Sequence, residues 1–533
     1  MISFLKRLWL GETSGLTTAA VIVGVASMLS RLLGVVRDHT LASVFGAGPE
    51  LDAYYAAFRL PDFLYNLIIL GALTAGFIPV FTEYLERKNA HDAWRMAEEV
   101  LSIVGVIMAV SCLVLAVAAP WIVPWTTPGF TGDHLATTVT LSRIMFLSPF
   151  LLGLSAVMGG VLQATRRFFA FALAPILYNV GIIFGAVFLS KYFGISGVAW
   201  GVIIGACLHF FAQATVAVRL GIRHVPPPSF RPEGVRRILK LMVPRTAGLA
   251  VTQLNLVILL ALASSLQSGS VSVFNLANNL QAFPVGIIGV SFAIAAFPAL
   301  SRAVGRHRDD EFRHAFSQAA RKIFYLLLPT TFFMILLRAQ VVRLILGDGK
   351  FDWNDTIRTA SLLGWFSVSI LAQALTPLLA RAFYAIQNTW TPFWIGVAAE
   401  VVNITAAFAL RDRYGITGLA IAFTLAAFVQ MGLLWIWLRR IQGALGEGSF
   451  TPSALKTVLA TVCALLVGYG LRQWVGTAYA LRTYWEVALQ TAASGIGGMS
   501  VFFGVSWLIG SQEFIEIKDG TVRKIRGLLV KQS

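Results

Sequence analysis

Six ionisable side chains sit where a charge is costly. Arg31, Arg37 and Asp38 lie in or just beyond the first long apolar run, Asp52 and Arg59 open the second, and Arg245 opens another in the latter half. An ionised group at membrane depth costs about 2.5–3.5 kcal/mol on insertion scales, so such groups are kept for a partner or a function. Guanidinium forks match the oxygens of phosphate, and four of them imply a cationic recess whose natural guest is an anion. The competing reading makes Arg37-Asp38 an interfacial pair and lets Arg31, Arg59 and Arg245 snorkel toward headgroups. Arg31 and Arg245 recur at corresponding places of an internal repeat, which favours the recess.

A second group is weaker. Glu400, midway along an apolar run, shares a helix face with Asn403, and the two could bind Na⁺, carry a proton, or brace neighbouring helices. Asn255, Asn275, Asn278, Asn279 and Gln281 form a polar stripe that either lines a cavity or ties helices together. Pro61, Pro79, Pro284 and Pro298, with Gly71, Gly76, Gly286 and Gly289 between them, predict bends in two related helices. Asp309-Asp310 lies among Arg306, Arg308 and Arg313 and reads as a solvated loop, and the seven histidines show no ligand spacing. Cys112, Cys207 and Cys463 stand apart in apolar segments, as small buried hydrophobes do. No metal site and no catalytic constellation is expected.

The elements that must position these residues are membrane helices. The apolar set makes up 57% of the 533 residues and charged residues only 13%, and stretches such as 101 to 123 carry no charge. The apolar runs predict an all-α polytopic fold of about fourteen spans, at 15–36, 53–82, 98–123, 137–162, 168–190, 195–218, 243–265, 271–301, 323–346, 358–383, 391–410, 415–438, 453–471 and 484–510. The net charge of +17 would suit nucleic acid. Its placement does not: with both termini cytoplasmic, about 29 of the 42 Lys and Arg fall on the cytoplasmic side, about 10 outside and three within spans. Arg338, Arg343, Lys350, Arg358, Arg411 and Arg413 are local exceptions. The basic tail at 512–533 is expected to lie on the anionic inner leaflet.

Tyr192-Phe-Gly-Ile-Ser-Gly-Val-Ala199 recurs as Arg413-Tyr-Gly-Ile-Thr-Gly-Leu-Ala420, and Ser30-Arg31-Leu-Leu-Gly34 as Pro244-Arg245-Thr-Ala-Gly248. Gln163 and Asn179 pair by spacing with Gln387 and Asn403, a register that sets Ile176 opposite Glu400. Six spans repeated six spans later keep their orientation, so two parallel six-helix lobes enclose a central cavity. The expected organisation is an N-terminal lobe at 1–218, a basic Pro-containing linker at 219–242, a C-terminal lobe at 243–440, and extra helices at 453–511.

Ser30-Arg31-Leu-Leu-Gly34-Val-Val-Arg37-Asp38, Phe45-Gly-Ala-Gly48, Asp52-Ala-Tyr-Tyr55, Phe58-Arg59-Leu-Pro61 and Gly71-Ala-Leu-Thr-Ala-Gly-Phe-Ile-Pro79 closely resemble the MurJ (MviN) family of the MOP flippase superfamily. The resemblance spans essentially the whole chain. It implies a lipid II flippase of peptidoglycan synthesis, not an enzyme, working by alternating access in the bacterial inner membrane as a monomer, with a polyprenyl-diphosphate-linked glycan and membrane lipids as partners. The alternative within the superfamily is a flippase for O-antigen or exopolysaccharide lipids. Arg31 and Arg37 match the family's essential cavity arginines, Asp38 and Asp52 match acidic positions beside them, and the last two helices match a groove for the lipid tail. The chain departs from the family in carrying Tyr65-Asn66 and Leu70 where many members have an Arg-Arg pair and a Glu, and Asn278-Asn279 in place of Asp-Arg. Arg245 is expected to supply the positive charge that Asn279 lacks. Some members bind Na⁺ in the second lobe, where Asn403, Ala420 and Thr424 match but Ala407 replaces an acidic ligand, leaving Glu400 as its substitute; no cofactor is otherwise implied, and Na⁺ or the membrane potential would drive the cycle.

Overall fold

Residues 15–70, 76–87, 90–223, 226–229, 233–479 and 483–519 are described by the computed structural model, and among them no strand occurs. The chain forms α1 (Leu16–Phe45), α2 (Pro49–Tyr65), α3 (Ile78–Arg87), α4 (Ala90–Thr126), α5 (Gly132–Met145), α6 (Leu147–Ala164), α7 (Phe168–Phe184), α8 (Ser190–Phe193), α9 (Ile195–Leu220) and α10 (Glu233–Ser264). It continues with α11 (Ser270–Pro284), α12 (Val290–Gly305), α13 (Asp309–Leu336), α14 (Arg338–Leu346), α15 (Trp353–Ala385), α16 (Trp390–Tyr414), α17 (Ile416–Gln442), α18 (Glu447–Ala478) and α19 (Tyr484–Leu508). In lipid every backbone N–H and C=O needs an internal partner, and for an apolar sequence without strand alternation the helix supplies it. Among the described residues, twelve helical stretches are long and apolar enough to cross a membrane. The other two expected spans fall on α2–α3, where residues 71–75 lie outside the described set, and on α10, whose apolar part is Leu249–Ser264.

Two compact units emerge. The first is 1–272 with 348–352, the second 273–347 with 353–533. α10 therefore packs with the first unit, against α2, α3 and α4, although the sequence repeat groups it with the second half. Ancestry fixes the repeat, whereas packing follows the apolar surfaces in contact. The first unit's core gathers Phe77, Phe81, Met108, Phe146 and Val157; the second unit's gathers Phe312, Phe316, Leu378, Phe383 and Leu434. α18 and α19 adhere to α13 through Tyr325, Phe333, Ala464 and Phe502. Gln340 donates to Gln490 Oε1 at 2.9 Å and Ser494 to the Gly468 carbonyl at 2.7 Å, bonds that hold polar groups safely inside the bundle.

Near the Pro and Gly positions that predict bends, the helices carry wide turns. π-Helical segments Asn66–Leu70 and Val285–Gly289 follow α2 and α11, close behind Pro61 and Pro284, and a third, Gly185–Leu189, follows α7. Such turns loosen the i→i−4 ladder locally.

The repeat is realised at atomic detail. Gly194 and Gly415 have φ of 56° and 55°, each starting a new helix after a left-handed turn that a side chain would strain. Gly197 N–H donates to the Gly194 carbonyl and Gly418 N–H to that of Gly415, both at 3.0 Å. Upstream, the positive-φ residues that open the preceding helices are Arg166 and Gln387. The offset is 415 − 194 = 221 at one end and 387 − 166 = 221 at the other. This corrects the register: Gln387 corresponds to Arg166 rather than Gln163, and Glu400 corresponds to Asn179 rather than Ile176.

Candidate functional site

In the first unit the chemistry gathers on α1, α2 and α7. Arg37 donates through Nε and Nη2 to one oxygen of Asp38, at 3.1 and 2.9 Å, and through Nη1 to Asn179 Oδ1 at 3.3 Å. Asn179 in turn donates to the Pro175 carbonyl at 3.1 Å and toward Ser30 Oγ at 3.4 Å, so α7 fixes α1 at two levels. Asp38 is buried, and its pairing neutralises Arg37 locally. One turn apart on α2, Tyr55, Arg59 and Asp62 share a face by their i, i+4 and i+7 spacing. Tyr55 Oη and Arg59 Nε are buried donors without an acceptor among the described residues. Leaving such donors unmade costs about 1–3 kcal/mol apiece, more when charged. Their common deficit is an acceptor, which an anion would supply.

The other sequence-selected residues do not all join this group. Arg31 is exposed on α1, with no ion pair or hydrogen bond to a described residue. The side chain of Arg245 lies outside the described residues. Asp52 is taken up elsewhere: it is 1% exposed and accepts from Gly269 N–H at 2.6 Å, Ser272 N–H at 2.7 Å and Ser272 Oγ at 2.6 Å. Its carboxylate thus caps the start of α11, where helix N–H groups point and the helix dipole favours a negative charge. The carboxylate expected as a substrate contact is engaged in this structure as a helix cap. Its spacing from the first arginines suggested a shared site, and a cap formed 220 residues away in sequence leaves no local signal.

In the second unit Asn403 lies close to the Glu400 carboxylate on one helix face, and Asn403 Oδ1 is buried without a partner among the described residues. Thr424 donates to the Trp365 carbonyl at 2.8 Å, tying α17 to α15. With the corrected register, Glu400 takes the place that Asn179 holds in the first unit. Two members of the polar stripe form a ladder with α15: Gln281 donates to Asn278 Oδ1 at 3.0 Å, and Gln373 Nε2 to Gln281 Oε1 at 2.9 Å and Ser369 Oγ at 2.7 Å. These amides join α11 to α15. Sequence reasoning missed Gln373 and Ser369, polar residues spaced by four on α15, and Asp62, a carboxylate one turn beyond Arg59.

A family model described as "Lipid II flippase MurJ" matches residues 41–489. The chain belongs to the MurJ family. Its relatives include the probable lipid II flippase MurJ of Rhizobium tropici, 29% identical over 530 residues, covering 95% of this chain and 96% of that one. The lipid II flippase MurJ of Burkholderia cenocepacia is 29% identical over 510 residues, covering 92% and 97%. Among solved structures, a lipid II flippase MurJ in an inward closed conformation superposes with a TM-score of 0.76 at 22% identity, covering 92% of this chain and 98% of that one. An inward-facing multidrug resistance MATE transporter of the MOP superfamily follows at 0.68 and 17%, over 80% and 99%. The fold expected of a MurJ family member, helical and multi-pass, is the one observed.

Proposed function

We propose that this chain is a flippase for lipid II, the undecaprenyl-diphosphate-linked peptidoglycan precursor, in the bacterial inner membrane. The observation that carries the reading is the set of buried donors without acceptors, Tyr55 Oη and Arg59 Nε, beside the anchored Arg37–Asp38 pair, in a chain of the MurJ family. A diphosphate offers the acceptors this face lacks, through charge-assisted hydrogen bonds. Asn179 and Asp38 hold the Arg37 fork in place, so little side-chain order is lost on binding. Arg31, exposed on the same helix, meets the headgroup before it reaches Arg37. The work is translocation without covalent chemistry, by a monomer with both termini cytoplasmic and no nucleic-acid partner. Purified protein in vesicles with labelled lipid II on one leaflet tests this: transfer to the other leaflet supports it. Transfer of other polyprenyl-linked glycans but not lipid II would move the assignment to the polysaccharide flippases.

For the driving ion, Glu400 and the unpaired Asn403 Oδ1 supply a carboxylate and a neutral oxygen, and Thr424 Oγ1 keeps lone pairs free while donating to Trp365. That donor set suits a monovalent cation such as Na⁺, which seeks several oxygens and little charge. Na⁺ there, or the membrane potential, would bias the cycle.

A further inference from the structure

Asp62 is an ionisable group of the first unit that the reading above leaves idle. It lines a small open crevice, with room for about one water, walled by Phe58, Pro61, Tyr65, Met145, Ser148 and Tyr178. Its carboxylate makes no ion pair and no side-chain hydrogen bond with a described residue, although Arg59 stands one turn away on the same helix. A bare carboxylate at membrane depth is expensive to keep. Its charge is offset at a distance by Arg59, and Arg37 is already balanced by Asp38.

We propose that Asp62 is a proton-exchange site linked to anion occupancy of Tyr55 and Arg59 on the same face of α2. The inference rests on the flippase reading and adds a coupling to it. When an anion engages Arg59, the offset that Asp62 relied on is spent, and the negative charge left over is removed by a proton from crevice water, which bonds to a carboxylate oxygen. When the anion leaves, the proton returns to water and the Arg59–Asp62 balance is restored. By reciprocity, a proton on Asp62 strengthens anion binding as much as the anion strengthens proton binding. The groups that face Asp62 are Arg59, Tyr54 and Tyr65 from α2, Arg37 from α1, and Tyr178 from α7, which lies beside Ser148 in the crevice wall, while Tyr55 and Asp38 gather around Arg37. His209 of α9 lies behind Tyr178, its Nδ1 held by Ser155 Oγ at 2.7 Å. Arg237, on α10, pairs with Glu83. The described neighbours thus include no acid free to buffer the site in place of Asp62.

Titration calorimetry of lipid II into the full chain in nanodiscs, in two buffers of different ionisation enthalpy, counts protons taken up on binding. Wild type should take up roughly half to one proton, and its affinity should fall by up to about tenfold per pH unit where the site titrates. Asp62→Asn should bind lipid II with no proton uptake and a flat pH profile, and Asp62→Glu should restore both. Proton uptake unchanged in Asp62→Asn, or absent in a wild type that binds lipid II, overturns the proposal. So does a Na⁺ dependence lost with Asp62→Asn in the absence of proton uptake, which gives the site to Na⁺. A wild type that does not bind lipid II overturns the flippase reading itself, and the coupling with it.

Discussion

Replacing Asp52 by Ala removes three short hydrogen bonds at once, to Gly269 N–H, Ser272 N–H and Ser272 Oγ. Charge-assisted bonds contribute about 1.5–3 kcal/mol each, but they are not additive, since all three report on one carboxylate. Removing one buried charged partner of a set typically costs about 3–5 kcal/mol, and that is the expected loss of local stability at the start of α11. Asp52→Asn keeps an oxygen for Ser272 but turns an NH₂ donor against Gly269 N–H, so about half of that loss is expected. Hydrogen exchange read on peptides covering 266–274 measures this directly: a loss of about 3–5 kcal/mol speeds exchange by roughly two to four orders of magnitude if opening is local. If Asp52 contacted substrate rather than capping the helix, Asp52→Asn would weaken lipid II binding while leaving exchange at Gly269 and Ser272 unchanged. That result, or full protection in Asp52→Ala, would refute the cap.

Arg37→Lys keeps a charge but cannot bridge Asp38 and Asn179 together, so complementation of a flippase-depleted bacterium should rank Arg above Lys above Ala; full rescue by Ala sinks the anion site. Glu400→Gln should blunt any Na⁺ or pH dependence of transport in vesicles, and an unchanged dependence makes Glu400 structural. A β-carbon on Gly181 would stand 2.3 Å from Gly205 Cα, so Gly181→Ala should destabilise the first unit by at least the roughly 1–3 kcal/mol of an overpacked core, seen as a lower Tm in detergent. Gly34→Ala, with nothing within 4 Å, should leave Tm unmoved.

Much of this architecture was legible because lipid imposes one rule on every span: long apolar runs become helices, and Lys and Arg mark their ends. Gly194 and Gly415 announced the duplication because the left-handed turn tolerates few other residues. The register between Asn179 and Glu400 was misread because Gln and Asn look alike in one dimension; only the matched turns at Arg166 and Gln387 fix the spacing. Arg37 and Asp38 were readable as adjacent opposite charges in an apolar segment. Asp52 was not, because its partners Gly269 and Ser272 offer ordinary backbone amides, and any helix start could have claimed it. Asp62 went unnoticed for the opposite reason, since it makes no bond that a pattern could encode.

The tight seam between α7 and α9 sets different rules of inheritance for the two halves. Gly181 and Gly185 face Gly205 and Gly201 with backbones almost touching, whereas the corresponding positions of α16 and α17 are Val402, Ala406, Ala426 and Ala422. At these four glycines any side chain has to push two helices apart, so those positions are fixed by geometry. In the second hairpin, side chains separate the backbones, and one methyl can be exchanged for another as neighbours adjust. Both hairpins carry a polar group at the matched position, Asn179 in the first and Glu400 in the second, so what the glycine seam restricts is the packing around that position rather than the polar group itself.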